Sequence, residues 1–286
     1  MQRRTKVFHS GCKSAKLIYD MGVMDRRNFL GASAAGIAAG SAASAAHHEG
    51  ETAQIFELRD YKLRNSKAGQ NRRLQEFLEQ EHLPMTKRVG ISATGYFSQY
   101  LGEDGPRVYT LAAYDSMAHM GEVLEAKSAD EAWTKAAAEF GADPQPPFDR
   151  VSSRLLRAFD GMKKIEPPKV ADDKPGRLFD LRTYQAETFA DLREKMNMFN
   201  SEEIEIFRKT GVNPLFFGET IVGDKMPNLT YVSYYDDMDA RDKAWKAFGS
   251  HPDWIRIRSK PGWGNDDIVA NVGNTHMKPL SFSPIR

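Results

Sequence analysis

The sequence contains one series of landmarks twice, and this duplication constrains the fold more than any other feature. Residues 55–61 (IFELRDY) recur as residues 178–184 (LFDLRTY), a shift of 123 positions. Three further landmarks recur in the same order 121 positions later: Gly90-Ile91, residues 114–117 and Trp133. Landmarks that keep their order and almost one offset indicate a repeated structural unit. We therefore expect two tandem copies of one module.

The spacing of the copies predicts the domain layout. A charged segment with several prolines and no apolar periodicity, residues 163–176, is typical of a linker. Module 1 is expected at residues 55–162 and module 2 at residues 177–286, each an ordinary domain of about 110 residues. A leader at residues 1–46 and a short segment at residues 47–54 come before them.

The hydrophobic pattern of module 1 predicts its elements. Alternating apolar residues predict four strands, at 55–63, over a run that ends at Leu101, at 108–114 and at 151–159. Helical spacing predicts two helices, over 71–88 and over 116–140 with a break near Ser128. The order β-α-β-β-α-β is the ferredoxin-like arrangement, an α+β fold. Module 2 repeats this order, with its first helix at 189–209 and its third strand at 229–235.

The leader has the features of an export signal. Arg26-Arg27 precedes Phe29-Leu30, and a stretch of Ala, Gly and Ser then ends near Ala46. This order indicates a twin-arginine signal peptide, and Met24 is an alternative start to Met1. The stretch is too short for a membrane span, which needs about 20 apolar residues. We expect a periplasmic or secreted protein without a membrane span; the alternative is a cytoplasmic protein with a small-residue helix.

Charge and cysteine content exclude several classes of function. Of 40 basic and 39 acidic residues, seven and two lie in the leader, so the remainder carries an excess of four acidic residues. No basic stripe is visible, which argues against nucleic-acid binding. The single cysteine, Cys12, lies in the leader, so neither module has a thiolate ligand. The common nucleotide, zinc-protease and hydrolase motifs are missing. We expect no metal and no other cofactor, and the sequence names no reaction.

The repeated residues also carry a family resemblance. Residues 56–61 and 179–184 resemble the opening strand of NIPSNAP modules, and the Gly-rich second strand and the turn at 114–117 are similar to theirs. The likeness spans residues 55–160 and 178–286. It implies a dimeric α+β barrel in which two ferredoxin-like sheets meet face to face. Here one chain supplies both halves, and a homo-oligomer of whole chains stays open.

Strand alternation then predicts the location of a site. Side chains alternate across a sheet, so Phe56 and Leu58 lie on one face while Glu57, Arg59 and Tyr61 lie on the other. We expect the apolar face to cover the module's own helices. The face with arginine and tyrosine would then point into the barrel, between the two modules.

A pocket between the modules would bind a planar or anionic small molecule through guanidinium and phenol groups. The residues that this hypothesis assigns to ligand binding are Arg59, Tyr61, Arg182 and Tyr184. The alternative is that the arginines form ion pairs in a polar barrel interior. His82, at the end of the first helix, is the remaining candidate, since an imidazole at the barrel mouth could transfer protons; a capping or exposed histidine is its alternative. Module 2 has Glu203 at the matching position.

Three functions follow as hypotheses. A ligand-binding protein needs a largely apolar pocket with Arg59 or Arg182 reaching into it. An oxygenase or isomerase of small aromatic or anionic compounds needs a proton-handling residue such as His82 inside that pocket. An interaction protein would present its outer helices to a partner and have a filled barrel. The fold alone does not choose among them.

Overall fold

The strands of both modules close into a single eight-stranded barrel. The structure is a computed structural model that describes residues 52–65, 67, 69–169 and 176–286. Around the barrel the strands follow the order β1-β3-β2-β8-β5-β7-β6-β4, and all neighbours are antiparallel. Their bounds are β1 (Ile55–Lys62), β2 (Ala93–Leu101), β3 (Arg107–Tyr114), β4 (Arg150–Ala158), β5 (Leu178–Gln185), β6 (Asn213–Val222), β7 (Asn228–Tyr235) and β8 (Asn271–Pro279).

The helices cover the outside of the barrel. The first helical segment of each module is continuous but contains a π-helical turn, at Leu78–His82 and at Phe199–Glu203. The α-helices of the described residues are α1 (Gln70–Phe77), α2 (Leu83–Arg88), α3 (Met117–Ala129), α4 (Glu131–Ala142), α5 (Phe189–Met198), α6 (Ile204–Thr210), α7 (Met238–Ser250), α8 (Pro252–Arg258) and α9 (Asn265–Ile268). The order β-α-β-β-α-β therefore occurs twice, and the predicted fold class is confirmed.

Asp130 divides the second helical segment of module 1. Its extended backbone ends α3, and its carboxylate accepts a hydrogen bond of 2.9 Å from the backbone N–H of Trp133 at the start of α4. A short acidic side chain is a favourable N-cap because it satisfies a helical N–H that has no other partner. The observed break therefore lies at Asp130, two residues after the position predicted near Ser128.

Two seams join the modules within one chain. At one seam β2 pairs with β8, where Gln99 lies opposite Met277. At the other β4 pairs with β6, where Arg157 lies opposite Glu219 and their side chains form an ion pair of 2.6 Å. Each module thus supplies the partner strand that the other module's sheet edges need, and closure leaves no unpaired edge in the barrel.

Apolar side chains from both modules pack together inside the barrel. Ring contacts cross it between the modules, with centroids 4.7 Å apart for Phe56 and Phe216 and 4.8 Å apart for Phe97 and Phe179. The buried residues of this cluster come from both modules: Phe56, Leu58, Phe97, Tyr109, Leu111, Ala113, Leu156, Ala158, Phe179, Leu181, Leu215, Phe216, Val232, Met277 and Ile285. The predicted assignment of the two strand faces was therefore wrong.

The face with arginine and tyrosine lies against the module's own helices. Tyr61 packs with Leu74 and Leu78 of the first helical segment, and Tyr184 packs with Phe199 of the corresponding segment in module 2. Charged groups share the interior face towards one end of the barrel, where Asp60 pairs with Arg107, and Arg154 donates to the hydroxyl group of Thr183. A charged group buried among apolar side chains without such partners is unfavourable. The helix layer can supply polar partners, and it takes the charged face. The arginine and tyrosine side chains of β1 and β5 therefore do not form the predicted ligand pocket between the modules.

The predicted leader, residues 1–46, lies outside the described residues, as do most of the segment that follows it and residues 170–175 of the linker. Within the part of the chain that is described, no helix has both the length and the apolar character needed to cross a membrane.

Candidate functional site

Module 1 contains a cavity of about 480 Å³ between its sheet and its helices. β1 and β4 form one wall, the first helical segment and α4 form the opposite wall, and the loop before β4 closes one end. The lining side chains are mostly aromatic or aliphatic: Glu57, Arg59, Tyr61, Leu74, Phe77, Leu78, His82, Trp133, Ala137, Phe140, Gly141, Pro147, Phe148, Val151 and Ser153. Its size and lining are those of a small-molecule site.

Small residues on α4 keep the cavity open. Ala137 and Gly141 lie about one helical turn apart and both face the space, where a larger side chain would fill it. The walls beside them are rigid aromatic pairs. The rings of Phe77 and Phe140 stack with centroids 4.1 Å apart, and Trp133 lies 5.5 Å from Phe77. The result is a preformed apolar chamber.

The floor of the cavity holds an ion pair on β1. Nε of Arg59 donates to Oε1 of Glu57 at 2.7 Å. The same carboxylate accepts hydrogen bonds from the hydroxyl groups of Ser153 at 2.9 Å and Tyr114 at 3.2 Å. Burial opposes the charge of Arg59, but Glu57 and Tyr61 hold its pKa above the ordinary value. The guanidinium therefore stays cationic at one end of an apolar chamber.

His82 closes the inner end of the same floor. The π-helical turn places it at the point where the helix passes over the sheet, and such turns are common at functional sites. Its Nδ1 lies 2.8 Å from the hydroxyl of Tyr96, and its ring makes an edge contact with Trp133 at 5.5 Å. Burial, together with Lys127 and Arg59, lowers the pKa of His82 to about 3. The imidazole is therefore neutral near pH 7.

Lys127 of α3 approaches the floor from the other side. It lines a second, much smaller cavity of about 20 Å³, which shares Glu57, Arg59 and His82 with the large one. Its Nζ lies over the ring of Trp133 at 4.8 Å. Burial lowers its pKa, and the neighbouring charge of Arg59 acts in the same direction. Two cationic side chains, Arg59 and Lys127, therefore lie near one carboxylate, that of Glu57.

The corresponding space in module 2 is filled. Lys195 and Glu203, at the positions of Leu74 and His82, form an ion pair of 2.9 Å with side chains only 1% and 2% exposed. Nζ of Lys195 also lies 4.8 Å from the ring centre of Phe199 and 5.4 Å from that of Trp254. Trp254 is the counterpart of Trp133. A buried ion pair and large rings thus take the place of the chamber.

Arg182 and Tyr184 lie inside this packed part of module 2 and do not line the chamber of module 1. The Arg182 guanidinium lies over the ring of Trp245 at 4.7 Å, and its Nη2 lies 3.4 Å from the hydroxyl of Tyr184. The Tyr184 hydroxyl in turn accepts from Tyr231 at 3.1 Å. The predicted grouping of four residues is therefore wrong: the structure brings together Arg59, Tyr61 and His82 but separates them from Arg182 and Tyr184.

Asp180, the counterpart of Glu57, is fully buried beside Arg182. It accepts from Nε of Arg241 at 3.0 Å, and Nη1 of Arg182 lies 4.0 Å from the same oxygen. Its other oxygen lies 3.7 Å from Nε2 of His276, and neither atom has a hydrogen-bond partner among the described residues. Burial lowers the pKa of His276, although the charge of Asp180 opposes this. This cluster supports the ion-pair alternative for Arg182.

Sequence reasoning missed three contributors to the chamber. Lys127 and Phe140 gave no local signal, because their distance from β1 along the chain hides their proximity in space. Trp133 was detected only as a repeated landmark, and it lies on the chamber wall rather than in a sealed core. The contrast between Lys127 and Phe248 at the matching position of module 2 was the signal available in the sequence.

Comparisons with known proteins agree with this architecture. The NIPSNAP family model matches residues 56–160 and 179–284, one match in each module. No curated protein matches the sequence significantly. The chain is similar to an uncharacterized NIPSNAP-like domain protein from Burkholderia xenovorans at 21% identity, with a TM-score of 0.34, over 38% of this chain and 90% of that one.

Two solved structures share the fold over about four-fifths of this chain. One is a protein from Lactobacillus acidophilus NCFM, provisionally named a monooxygenase, with a TM-score of 0.51 and 10% identity over 79% of this chain and 94% of that one. The other, from Fusobacterium nucleatum, has the same provisional name, with a TM-score of 0.52 and 10% identity over 80% of this chain and 94% of that one. At such low identity these similarities show the fold alone.

Proposed function

The chain belongs to the NIPSNAP family, and from this premise we propose that it is an exported protein that binds a small molecule in the chamber of module 1. One observation carries the proposal. Module 1 has an open, mostly aromatic chamber of about 480 Å³ at the place where the same fold in module 2 is filled by Lys195 and Glu203. Protein interiors are close-packed, and an open space in one of two copies indicates a ligand site there.

The binding residues in this proposal are Arg59, Tyr61 and His82. Arg59 supplies a fixed charge on the floor. Tyr61 forms part of the wall, where its ring contacts the ring of Phe148 at 5.4 Å between centroids. His82 supplies a neutral ring nitrogen. A few polar groups at one end of an apolar chamber fix the orientation of a ligand, and the apolar walls contribute most of the binding free energy.

The low pKa of His82 favours binding over proton-transfer catalysis. A general base is most effective when its pKa lies near the working pH. The pKa of His82 is lowered to about 3, so the imidazole is a weak base in the unliganded chamber. The interaction hypothesis requires a filled barrel, and the apolar cluster between the modules is compatible with it. Because the chamber lies on the opposite face of the sheet, this cluster does not argue against a ligand site.

Filling the chamber tests the proposal directly. We expect Ala137→Phe, which adds a ring to the cavity wall, to weaken binding of 8-anilinonaphthalene-1-sulfonate at least about tenfold, the effect of losing about 1.4 kcal/mol of binding free energy. The fold should be retained, because the new ring enters existing space. Fluorescence titration would measure the affinity, and native mass spectrometry would detect any co-purified molecule.

The matched control is Ala138→Phe, at an exposed position on the same helix. Equal affinity of Ala137→Phe and the wild type would refute the chamber as the site.

Export depends in this proposal on the paired arginines before Phe29-Leu30. We expect the double substitution Arg26→Lys and Arg27→Lys to leave folded, uncleaved precursor in the cytoplasm, because the twin-arginine pathway recognises this pair. Cell fractionation and sequencing of the mature N-terminus would measure delivery and cleavage. Arg3→Lys with Arg4→Lys, which alters the other arginine pair of the leader, should change nothing. Normal periplasmic delivery of the first variant would contradict export by this pathway.

A further inference from the structure

We propose that the ligand of the module 1 chamber is an amphipathic monoanion, with an apolar or aromatic body and one carboxylate that pairs with Arg59 and Lys127. This inference rests on the proposed function, because it names the class of molecule that the chamber takes. It comes from the balance of charge on the floor and from the character of the walls.

The guanidinium of Arg59 is only partly engaged by protein groups. Its Nε donates to Glu57 and the guanidinium also hydrogen-bonds to Tyr61, but among the described residues no carboxylate pairs with Nη1 or Nη2. Glu57 already accepts from the hydroxyl groups of Ser153 and Tyr114, so its own hydrogen-bonding needs are met without more of the guanidinium. The outer edge of Arg59, one quarter exposed, thus remains available for the planar pair of oxygens of a carboxylate.

Lys127 adds a second cation that has no acidic partner within ion-pair distance in the described part of the chain. Its contact with the ring of Trp133, at 4.8 Å, connects the charged floor with the chamber wall. Arg59 and Lys127 together exceed the charge of Glu57 by one. Bringing a single anion between them removes their mutual repulsion and leaves the floor neutral. This balance fits a monoanion better than a phosphate ester with two charges.

His82 can complete the set of donors. Its Nδ1 lies 2.8 Å from the hydroxyl of Tyr96, and the tautomer of the imidazole decides which of the two groups donates. In the tautomer in which the phenol donates to Nδ1, the ring carries its proton on Nε2, which has no hydrogen-bond partner among the described residues. That tautomer places an N–H donor beside the two cations on the floor, where it can bond to a carboxylate oxygen.

The walls determine the rest of the molecule. Above the floor the chamber presents the rings of Phe77, Trp133, Phe140 and Phe148 and the side chain of Leu74. A sugar or a polyanion would lose its hydration there without gaining hydrogen bonds in exchange, which is unfavourable. An aliphatic or aromatic body buries apolar surface instead. The ligand is thus apolar over most of its length and charged at one end.

Two matched pairs of probes test the inference by isothermal titration calorimetry: decanoate with decan-1-ol, and 2-naphthoate with 2-naphthalenemethanol. Each pair keeps the apolar body and removes the charge. We expect at least one acid to bind at least about tenfold more tightly than its alcohol, because hydrogen bonds to charged groups are among the strongest. Lys127→Met should remove this preference for the acid while leaving the affinity for the alcohol unchanged, since the methionine keeps much of the apolar stem.

Controls separate the possible outcomes. Lys135→Met, which removes an exposed lysine of α4, should keep the preference. Glu57→Gln with Arg59→Met removes both members of the floor pair without leaving a single charge, and it should also abolish the preference. If acids and alcohols bind equally to the wild type, the carboxylate inference is overturned and the chamber remains a binding site. If no probe binds, including 8-anilinonaphthalene-1-sulfonate, the proposed function fails together with the inference.

Discussion

Lys195→Met should reduce the free energy of unfolding by about 3–5 kcal/mol, the range observed when one partner of a buried ion pair is removed. Lys195 and Glu203 are almost inaccessible to solvent, and the lysine Nζ lies 2.9 Å from the carboxylate. The substitution leaves the Glu203 carboxylate buried without the cation that accompanies it. Urea unfolding monitored by circular dichroism would measure the loss.

The pH dependence of this loss has a definite sign. Burial already raises the pKa of Glu203, and Lys195 opposes that shift. Without Lys195 the folded-state pKa rises further above the unfolded value. A carboxyl group whose pKa is raised in the folded state lowers the free energy of unfolding as the pH rises through that folded-state pKa. At lower pH the group is protonated and uncharged, so its burial costs less. We therefore expect a larger loss at about pH 8 than at about pH 5.

A double substitution supplies the matched control. Lys195→Leu with Glu203→His installs the residues that module 1 has at these positions, Leu74 and His82. Because no single charge is left buried, this variant should recover most of the stability that Lys195→Met loses. Lys135→Met, in an exposed pair with Glu139, should leave the unfolding midpoint almost unchanged. Wild-type stability for Lys195→Met would show that the pair does not stabilise the folded state.

Two further positions show that the duplicated modules differ in the size of their side chains. Thr110 and Leu124 of module 1 correspond to Tyr231 and Trp245 of module 2, at a shift of 121. Thr110 and Leu124 line the smaller cavity of module 1. In module 2 the hydroxyl of Tyr231 donates to Tyr184, and the guanidinium of Arg182 lies over the ring of Trp245. Enlarging several side chains on facing elements fills a space of this kind. Among the described residues, module 2 has larger side chains than module 1 at these positions.

The order of elements could be predicted from the sequence because it depends on local periodicity. The strand at 55–63 and the helix at 71–88 lie within one residue of the observed limits. The repeat indicated two copies of one module, and the resemblance to NIPSNAP modules implied that their sheets pair in one barrel. The break near Ser128 was shifted only because the capping side chain is Asp130.

The faces of the strands and the location of the site could not be predicted in this way. Alternation separates Phe56 from Arg59, but it does not say which face meets the barrel interior. That choice depends on whether the surrounding elements can supply polar partners, which is a property of the assembled layers. Arg59 and Arg182 look equivalent in the sequence, yet one lies in an open chamber and the other beside fully buried Asp180. Only the packing of the neighbouring helices distinguishes them.

Module 1 alone, expressed as residues 50–162, should not be a stable monomer. Removal of module 2 takes β8 from the edge of β2 and β6 from the edge of β4, and it uncovers the apolar face that carries Phe56, Leu58 and Phe97. Open strand edges beside a large exposed apolar surface favour association. Because the modules are copies, two fragments can supply each other's missing edges. We expect a closed homodimer as the main product and aggregation as the competing one.

Light scattering coupled to size-exclusion chromatography, over a wide range of concentration, would measure the mass. Co-expression of residues 50–162 with residues 177–286 is the control and should restore a one-to-one complex with the spectrum of the intact chain. A fragment that stays monomeric and unfolds cooperatively would contradict the shared barrel as the source of the module's stability.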